Sequence, residues 1–282
     1  MKQKITEKNS YASACQIVFA FCLILPSTGA FAQATGKGST PTNEELTRKL
    51  NNPVASLISV PFQNNLDVGI GETDGSRNVL NFQPVVPFKL TSGLNLIARV
   101  VVPVVSQNNI YGTHTTQTGL SDVLVSTFLS PSVVKNGLTW GAGPAFLIPA
   151  ATDELLGAKK WGVGPTAVIL QQTKGWTFGA LANQIWSFAG SDDRSDVSQF
   201  YLQPFLTHNW KSGAGLGVSS EITRNWKAST TTAVIIPSIS GITKVGTQTV
   251  QLNLGPRIPV TYPDAKKPDF GVRASFVLVF PK

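Results

Sequence analysis

From about Val54 to Phe280 the chain alternates apolar and polar residues in short runs of roughly 10–13 residues. A tilted strand needs about that length to cross a bilayer. In Trp176–Phe188 one face carries Trp176, Phe178, Ala180, Ala182, Gln184, Trp186 and Phe188, and the other Thr177, Gly179, Leu181, Asn183, Ile185 and Ser187. In Val250–Val260, Leu252, Leu254, Ile258 and Val260 alternate with Gln251, Asn253, Gly255 and Arg257. In Phe270–Phe280, Phe270, Val272, Ala274, Phe276, Leu278 and Phe280 alternate with Gly271, Arg273, Ser275, Val277 and Val279. Successive strand side chains point to opposite faces, so one segment can present a dry face and a face bearing Arg.

The runs predict strands at Val54–Ile70, Asn78–Leu90, Gly93–Val105, Gly119–Ser130, Leu138–Ile148, Trp161–Gln172, Trp176–Phe188, Val197–Trp210, Gly213–Trp226, Ser229–Ser238, Thr247–Val260 and Phe270–Phe280. About a dozen is an even number, as a bacterial barrel with both termini on one side requires. Connections after even-numbered strands are short (Thr91-Ser92, Pro131–Gly137, Thr173–Gly175, Lys211-Ser212, Gly241–Gly246). Those after odd-numbered strands are longer and more polar, except at Lys227-Ala228. Tight turns at one rim and long loops at the other predict a single antiparallel outer-membrane barrel. Trp176 and Trp186 lie ten residues apart on one face, as do Phe270 and Phe280. At about 3.3 Å per residue and 40° of tilt, that spacing rises roughly 25 Å, so the four read as girdle aromatics. A soluble β-sandwich also alternates, but its strands are usually shorter. Pro61, Pro84, Pro87, Pro103, Pro144, Pro165, Pro204, Pro237, Pro256 and Pro259 fall inside these strands and remove ladder donors, so they should mark bulges or strand ends.

Ahead of the strands, residues 1–32 read as a secretory signal: Lys2, Lys4 and Lys8, the apolar run Ile17–Pro26, then Ala30-Phe31-Ala32 before Gln33. Residues 33–53 read as a periplasmic segment in which Thr42-Asn43-Glu44-Glu45 matches a capping box and Asn43–Leu50 a short helix stopped by Pro53. This leader is expected to rest against the barrel mouth, with a tether or plug as the other reading. The barrel is expected over 54–280.

Composition sharpens this. Both cysteines, Cys15 and Cys22, leave with the signal, so closure and packing alone must hold the rest. The net charge of +8 falls to +6 without the signal. No stretch after the signal reaches the roughly 18 apolar residues of a membrane helix, as expected when half the strand residues face a lumen.

Several phrases carry a resemblance. They are Asn52–Asn65 (NPVASLISVPFQNN), Asn81–Phe88 (NFQPVVPF), the repeated W-G-x-G-P at Trp140–Pro144 and Trp161–Pro165 with the acidic turn Ala151–Gly157, and Gly179–Phe205. In these the chain resembles bacterial exported proteins labelled "transporter" or "neuromedin U", related to outer-membrane-like proteins of a MetA-pathway phenol-degradation family. The resemblance implies an outer-membrane barrel across essentially the whole exported chain. It implies no catalytic residues and no substrate.

Catalytic chemistry is thin. Only His114 and His208 exist. His208 shares a face with Ser220, but a hairpin at Lys211-Ser212 sets them about four residues, roughly 13 Å, apart, too far for proton transfer. No catalytic residue, metal-ligand spacing or cofactor motif is found. Asp192, Asp193 and Asp196 could hold a divalent ion between lipopolysaccharide phosphates or simply form a hydrated loop. Lys159, Lys160, Lys227, Lys266 and Lys267 fall in the outer loops, where outer-membrane lipids and lipopolysaccharide are nearer partners than nucleic acid.

The wet faces hold more. Arg99, Glu221, Arg257 and Arg273 fall on inward registers, since a charge on the lipid face costs a few kcal/mol near mid-membrane. Three Arg against one Glu could bias a narrow pore toward anions, or the four could form a structural ion-pair network. The final strand ends on Phe280, an aromatic terminus of the kind barrel-assembly machinery reads. The expected function is passive passage of a small solute, anionic or aromatic, through the outer membrane. A filled-lumen barrel with a structural, surface or lipid-contact role is the alternative, and an outer-membrane lipid hydrolase a third reading that the histidine spacing disfavours.

Overall fold

The computed structural model describes residues 42–280, so the expected signal at residues 1–32 lies outside the described residues. The strands run in chain order as β1 (Ile58–Ile70), β2 (Gly75–Phe82), β3 (Val85–Lys89), β4 (Leu94–Asn108), β5 (Thr116–Leu120), β6 (Val123–Pro131), β7 (Leu138–Ile148), β8 (Lys160–Thr173), β9 (Trp176–Gly190), β10 (Ser198–Asn209), β11 (Gly215–Asn225), β12 (Thr230–Val245), β13 (Gln248–Thr261) and β14 (Phe270–Phe280). Each is antiparallel to its neighbours, and β14 pairs with β1 from Ile58↔Phe280 to Val68↔Phe270, which closes the sheet. β2 and β3 share one position between β1 and β4, and β5 and β6 share another beside β4, so the barrel has twelve staves.

Several boundaries differ from those read in the sequence. β1 begins at Ile58 rather than Val54, because residues 54–57 leave the wall for the lumen. β4 reaches Asn108, so the loop after it is only residues 109–115. β12 continues to Val245, through the expected connection Gly241–Gly246, and turns at Gly246. The single runs Asn78–Leu90 and Gly119–Ser130 are each interrupted once, at Gln83-Pro84 and at Ser121-Asp122.

The prolines explain much of this. A strand residue aims its N–H at one neighbour only, so a proline need spoil only one ladder. Pro144 and Pro165 face each other across β7–β8, and the β6–β7 and β8–β9 ladders skip the positions where their missing N–H groups would point. Pro204 pairs with Ala180 on β9 while the β10–β11 ladder skips it. Pro84 marks the β2–β3 break, and Pro259 sits at the register shift between β12 and β13. Bulges and breaks account for some prolines; one-sided ladder gaps without any shift of register account for others.

Turn chemistry is local. The β8–β9 turn is Lys174-Gly175, with φ of 41° and 84°, the left-handed pair of a type I′ hairpin. Alternation then sorts the wall. Trp176, Phe178, Trp186 and Phe188 are exposed on the outside, while Thr177, Leu181, Asn183 and Ile185 are buried inside.

The helix α1 (Asn43–Leu50) forms where its capping box predicts: Thr42 Oγ1 accepts from Glu45 N–H, and Glu45 Oε2 accepts from Thr42 N–H. Such a cap stabilises a helix by about 1 kcal/mol. Its acidic first turn and basic last turn also suit the helix dipole. α1 lies at the mouth on the short-turn side, with Asn43, Glu45, Arg48 and Lys49 exposed and Asn43 Nδ2 donating to Ser212 O of the β10–β11 turn at 3.5 Å. Residues 51–57 run on from it into the lumen. Val54 packs among Ile97, Phe128, Val168, Leu170 and Leu181, inward residues of β4, β6, β8 and β9. Leu46 and Leu57 pack on Val279 of β14, with Ile242 of β12 alongside. Burying each of these apolar side chains is worth about 1.5–3 kcal/mol. Polar anchors complete the seat: Asn51 Nδ2 donates to Asn209 Oδ1 at 2.5 Å and Thr207 Oγ1 at 3.1 Å, and Gln172 Nε2 to Arg48 O at 2.7 Å. This is a plug.

Candidate functional site: the lumen

Above the plug the lumen holds a cavity of about 890 Å³. Its floor includes Gln83, Arg99 and Gln203, and it reaches Tyr111, Pro263 and Lys266 among the long loops. All four charged residues expected to face inward line it: Arg99, Glu221, Arg257 and Arg273.

Three of them join one network, and a fifth residue completes it. Arg257 Nε donates to Asp67 Oδ1 at 2.9 Å and its Nη1 to Glu221 Oε2 at 3.2 Å. Arg273 Nη2 donates to Glu221 Oε1 at 2.7 Å and its Nε to Asn65 Oδ1 at 2.7 Å. Two guanidinium groups thus meet two carboxylates, with Asn65 accepting from both. The count of three Arg against one Glu is therefore revised, because Asp67 enters the lumen from β1 on the same register as Gln63 and Asn65. Asp67, Gly271 and Arg257 form one row across β1, β14 and β13. Gly271 makes the row possible: a Cβ there would stand 2.2 Å from Asp67 Oδ1 and 3.0 Å from Arg257 Cβ.

Arg99 stands apart. It lies on β4 between Val85 of β3 and Ser126 of β6, and its Nη2 donates to Gln83 Oε1 at 2.6 Å. Among the described residues no carboxylate lies within 4.0 Å of it. Gln83 occupies the break that Pro84 makes between β2 and β3. On the plug side a smaller space of about 160 Å³ is lined by Lys49, Asn52, Leu57 and Ser59, and it too touches Gln83, Arg99 and Gln203.

Outside the lumen, the girdle candidates Trp176, Trp186, Phe270 and Phe280 are each 41–49% exposed, on the outward registers. His208 lies between Trp176 and Trp210, at ring separations of 4.5 and 5.0 Å, at the short-turn rim. It pairs with Leu216, whereas Ser220 pairs with Ile235 and donates its hydroxyl to Val234 O at 2.9 Å. His114 is exposed in its loop, with its N–H on Asn109 Oδ1. Neither histidine meets a serine in catalytic geometry.

The long-loop acids pair with loop lysines. Asp196 faces Lys160 at 3.4 Å and Lys227 at 3.6 Å, and Lys159 pairs with Glu154. Among the described residues no cluster of His, Cys, Asp or Glu is arranged to hold a metal; of Asp192, Asp193 and Asp196, Asp196 carries the lysine pairs and Asp193 accepts from the Ser191 hydroxyl. The Ser187 hydroxyl, then Lys160 and Lys227, hold the Asp196 carboxyl below the usual carboxylate range.

In sequence, the chain matches no family and no curated protein. In structure it is similar to a crystallised outer membrane channel from Pseudomonas putida F1, with TM-score 0.62 and 15% identity over 79% of this chain and 94% of that one. The barrel is of outer-membrane type. Two looser likenesses are the β domain of the Bordetella autotransporter BrkA (TM-score 0.44, 10% identity, 80% and 100% of the two chains) and the Salmonella typhi outer membrane phospholipase dimer with bound calcium (TM-score 0.45, 10% identity, 85% and 99%). At such identities the likeness shows the fold, not the role of any residue.

Proposed function

We propose that the protein is an outer-membrane channel for passive passage of a small polar solute, with residues 42–57 as its plug. The observation that carries this is the cavity of about 890 Å³, which opens among the long loops and stops at the plug. Eight-stranded barrels fill with side chains and 16–18 strands leave an open channel, so twelve suit a narrow lumen that one short segment can close. In this reading the long loops face outward and the short turns and plug face the periplasm. The aromatic girdles sit at the two lipid interfaces, and Lys266 and Lys267 meet lipopolysaccharide.

Liposome swelling tests it. Vesicles carrying residues 33–282 should swell slowly in arabinose, and deletion of residues 33–57 should raise the rate several-fold. If both proteins insert, judged by heat-modifiable migration on gels, and neither admits the sugar, the filled-lumen reading replaces this one.

A further inference from the structure

We propose that Arg99, with Gln83 and Gln203, is a binding site for a small organic monocarboxylate between the two spaces of the lumen. The proposal rests on the channel reading and names the solute class that such a channel would favour.

Charge accounting singles out this residue. Arg257 and Arg273 are neutralised by Asp67 and Glu221, so they offer a passing anion little. Arg99 spends one N–H on Gln83, and a guanidinium has five. A cation withdrawn from bulk water is ordinarily paired or ligated. Here, among the described residues, its only hydrogen-bond partner is a neutral amide.

Position supplies the second reason. Of the residues around the two spaces, only Gln83, Arg99 and Gln203 line both. A solute moving between the long-loop cavity and the plug must pass them. Gln83 continues the inward register of Val79 and Asn81 at the β2–β3 break, with its N–H still on Pro61 O, and this sets its side chain beside Arg99.

The chemistry narrows the ligand. A guanidinium edge matches the two oxygens of a carboxylate, and accepting from Arg99 leaves the Gln83 amide N–H₂ able to donate to one of them. A second carboxylate on the solute would find no free cation, because Arg257 and Arg273 are already paired. One uncompensated positive charge therefore selects a monoanion over a dianion.

The test is titration calorimetry of residues 33–282 in detergent with propionate, its neutral isostere propionamide, and the dianion succinate. Propionate should bind about tenfold or more tightly than propionamide, the equivalent of about 1.4 kcal/mol, and more tightly than succinate. Arg99→Gln should abolish the preference, Arg99→Lys should keep part of it, and Arg224→Gln, at a residue stacked on Trp226, should leave it intact. Equal binding of propionate and propionamide, or a preference that survives Arg99→Gln in a heat-modifiable barrel, overturns the proposal. Tighter binding of succinate overturns the monoanion claim. Conductance keeps the two readings apart. A plug-deleted barrel that conducts without any carboxylate preference retains the channel and loses the site. Arg99-dependent propionate binding in a barrel that never conducts retains the site and loses the channel.

Discussion

At the residue scale the lumen network depends on Glu221 and Gly271. Glu221 holds two guanidinium groups, and removing it leaves both without one carboxylate oxygen. Glu221→Gln should cost about 2–3 kcal/mol in urea unfolding from detergent, less than the roughly 3–5 kcal/mol of a fully buried pair, because the cavity admits water. Gly271→Ala should cost about 1–3 kcal/mol by pushing Asp67 off Arg257, through a Cβ that would stand 2.2 Å from Asp67 Oδ1. In the outer loops, Asp196 sets a pH dependence whose sign follows from its lowered pKa. Its anchoring is present above the ordinary carboxylate value of about 3.9 and is lost as pH falls through the lowered one. Hydrogen exchange across residues 191–197 should therefore be protected at pH 7 and fast near pH 2, and Asp196→Asn should exchange fast at both, after correction for the intrinsic rate. Alternation was enough to place Arg99, Glu221, Arg257 and Arg273 inside, because a lipid-facing charge is costly. The same argument puts Asp67 inside with Gln63 and Asn65, but alternation could not reveal that Asp67 pairs with Arg257 or that Arg99 is left over, because pairing depends on strands distant in sequence coming together.

At the element scale, local rules carried most of the structure. The helix Asn43–Leu50, β7 and β14 lie where capping and period-2 patterning put them. Boundaries drifted where an element does not stay in the wall. Residues 54–57 are as apolar as a strand but are buried inside, and β12 runs on past the glycine that looked like its end. The entry of residues 54–57 into the lumen was not legible, since their apolar run reads equally well as the start of a strand. The plug's anchors are testable. Asn51→Ala removes the contacts to Thr207 and Asn209 and should loosen the plug without unfolding the barrel, read as faster trypsin cleavage at Arg48 and Lys49. The seam has its own test. Phe280 is outward-facing and pairs with Ile58 where β14 meets β1. Phe280→Asp should lower the yield of heat-modifiable barrel in cells and leave protease-sensitive chain, whereas removal of Pro281 and Lys282 should be tolerated.

At the scale of the whole molecule, the chain divides its inward residues into two layers of different purpose. The short-turn half is apolar and holds the plug; the long-loop half is polar and holds the cavity. A barrel that existed only to fill its lumen would have little use for a water-accessible space of about 890 Å³ above a separable stopper. Twelve closed staves and the likeness to a solved outer membrane channel give the fold as an outer-membrane barrel. The most direct measurement is single-channel current in planar bilayers for residues 33–282 and for the same chain without residues 33–57. The full chain should give small, intermittent openings, and the shortened one a steady and several-fold larger conductance. Identical traces from the two proteins, or no current from either after verified insertion, would contradict the plugged channel.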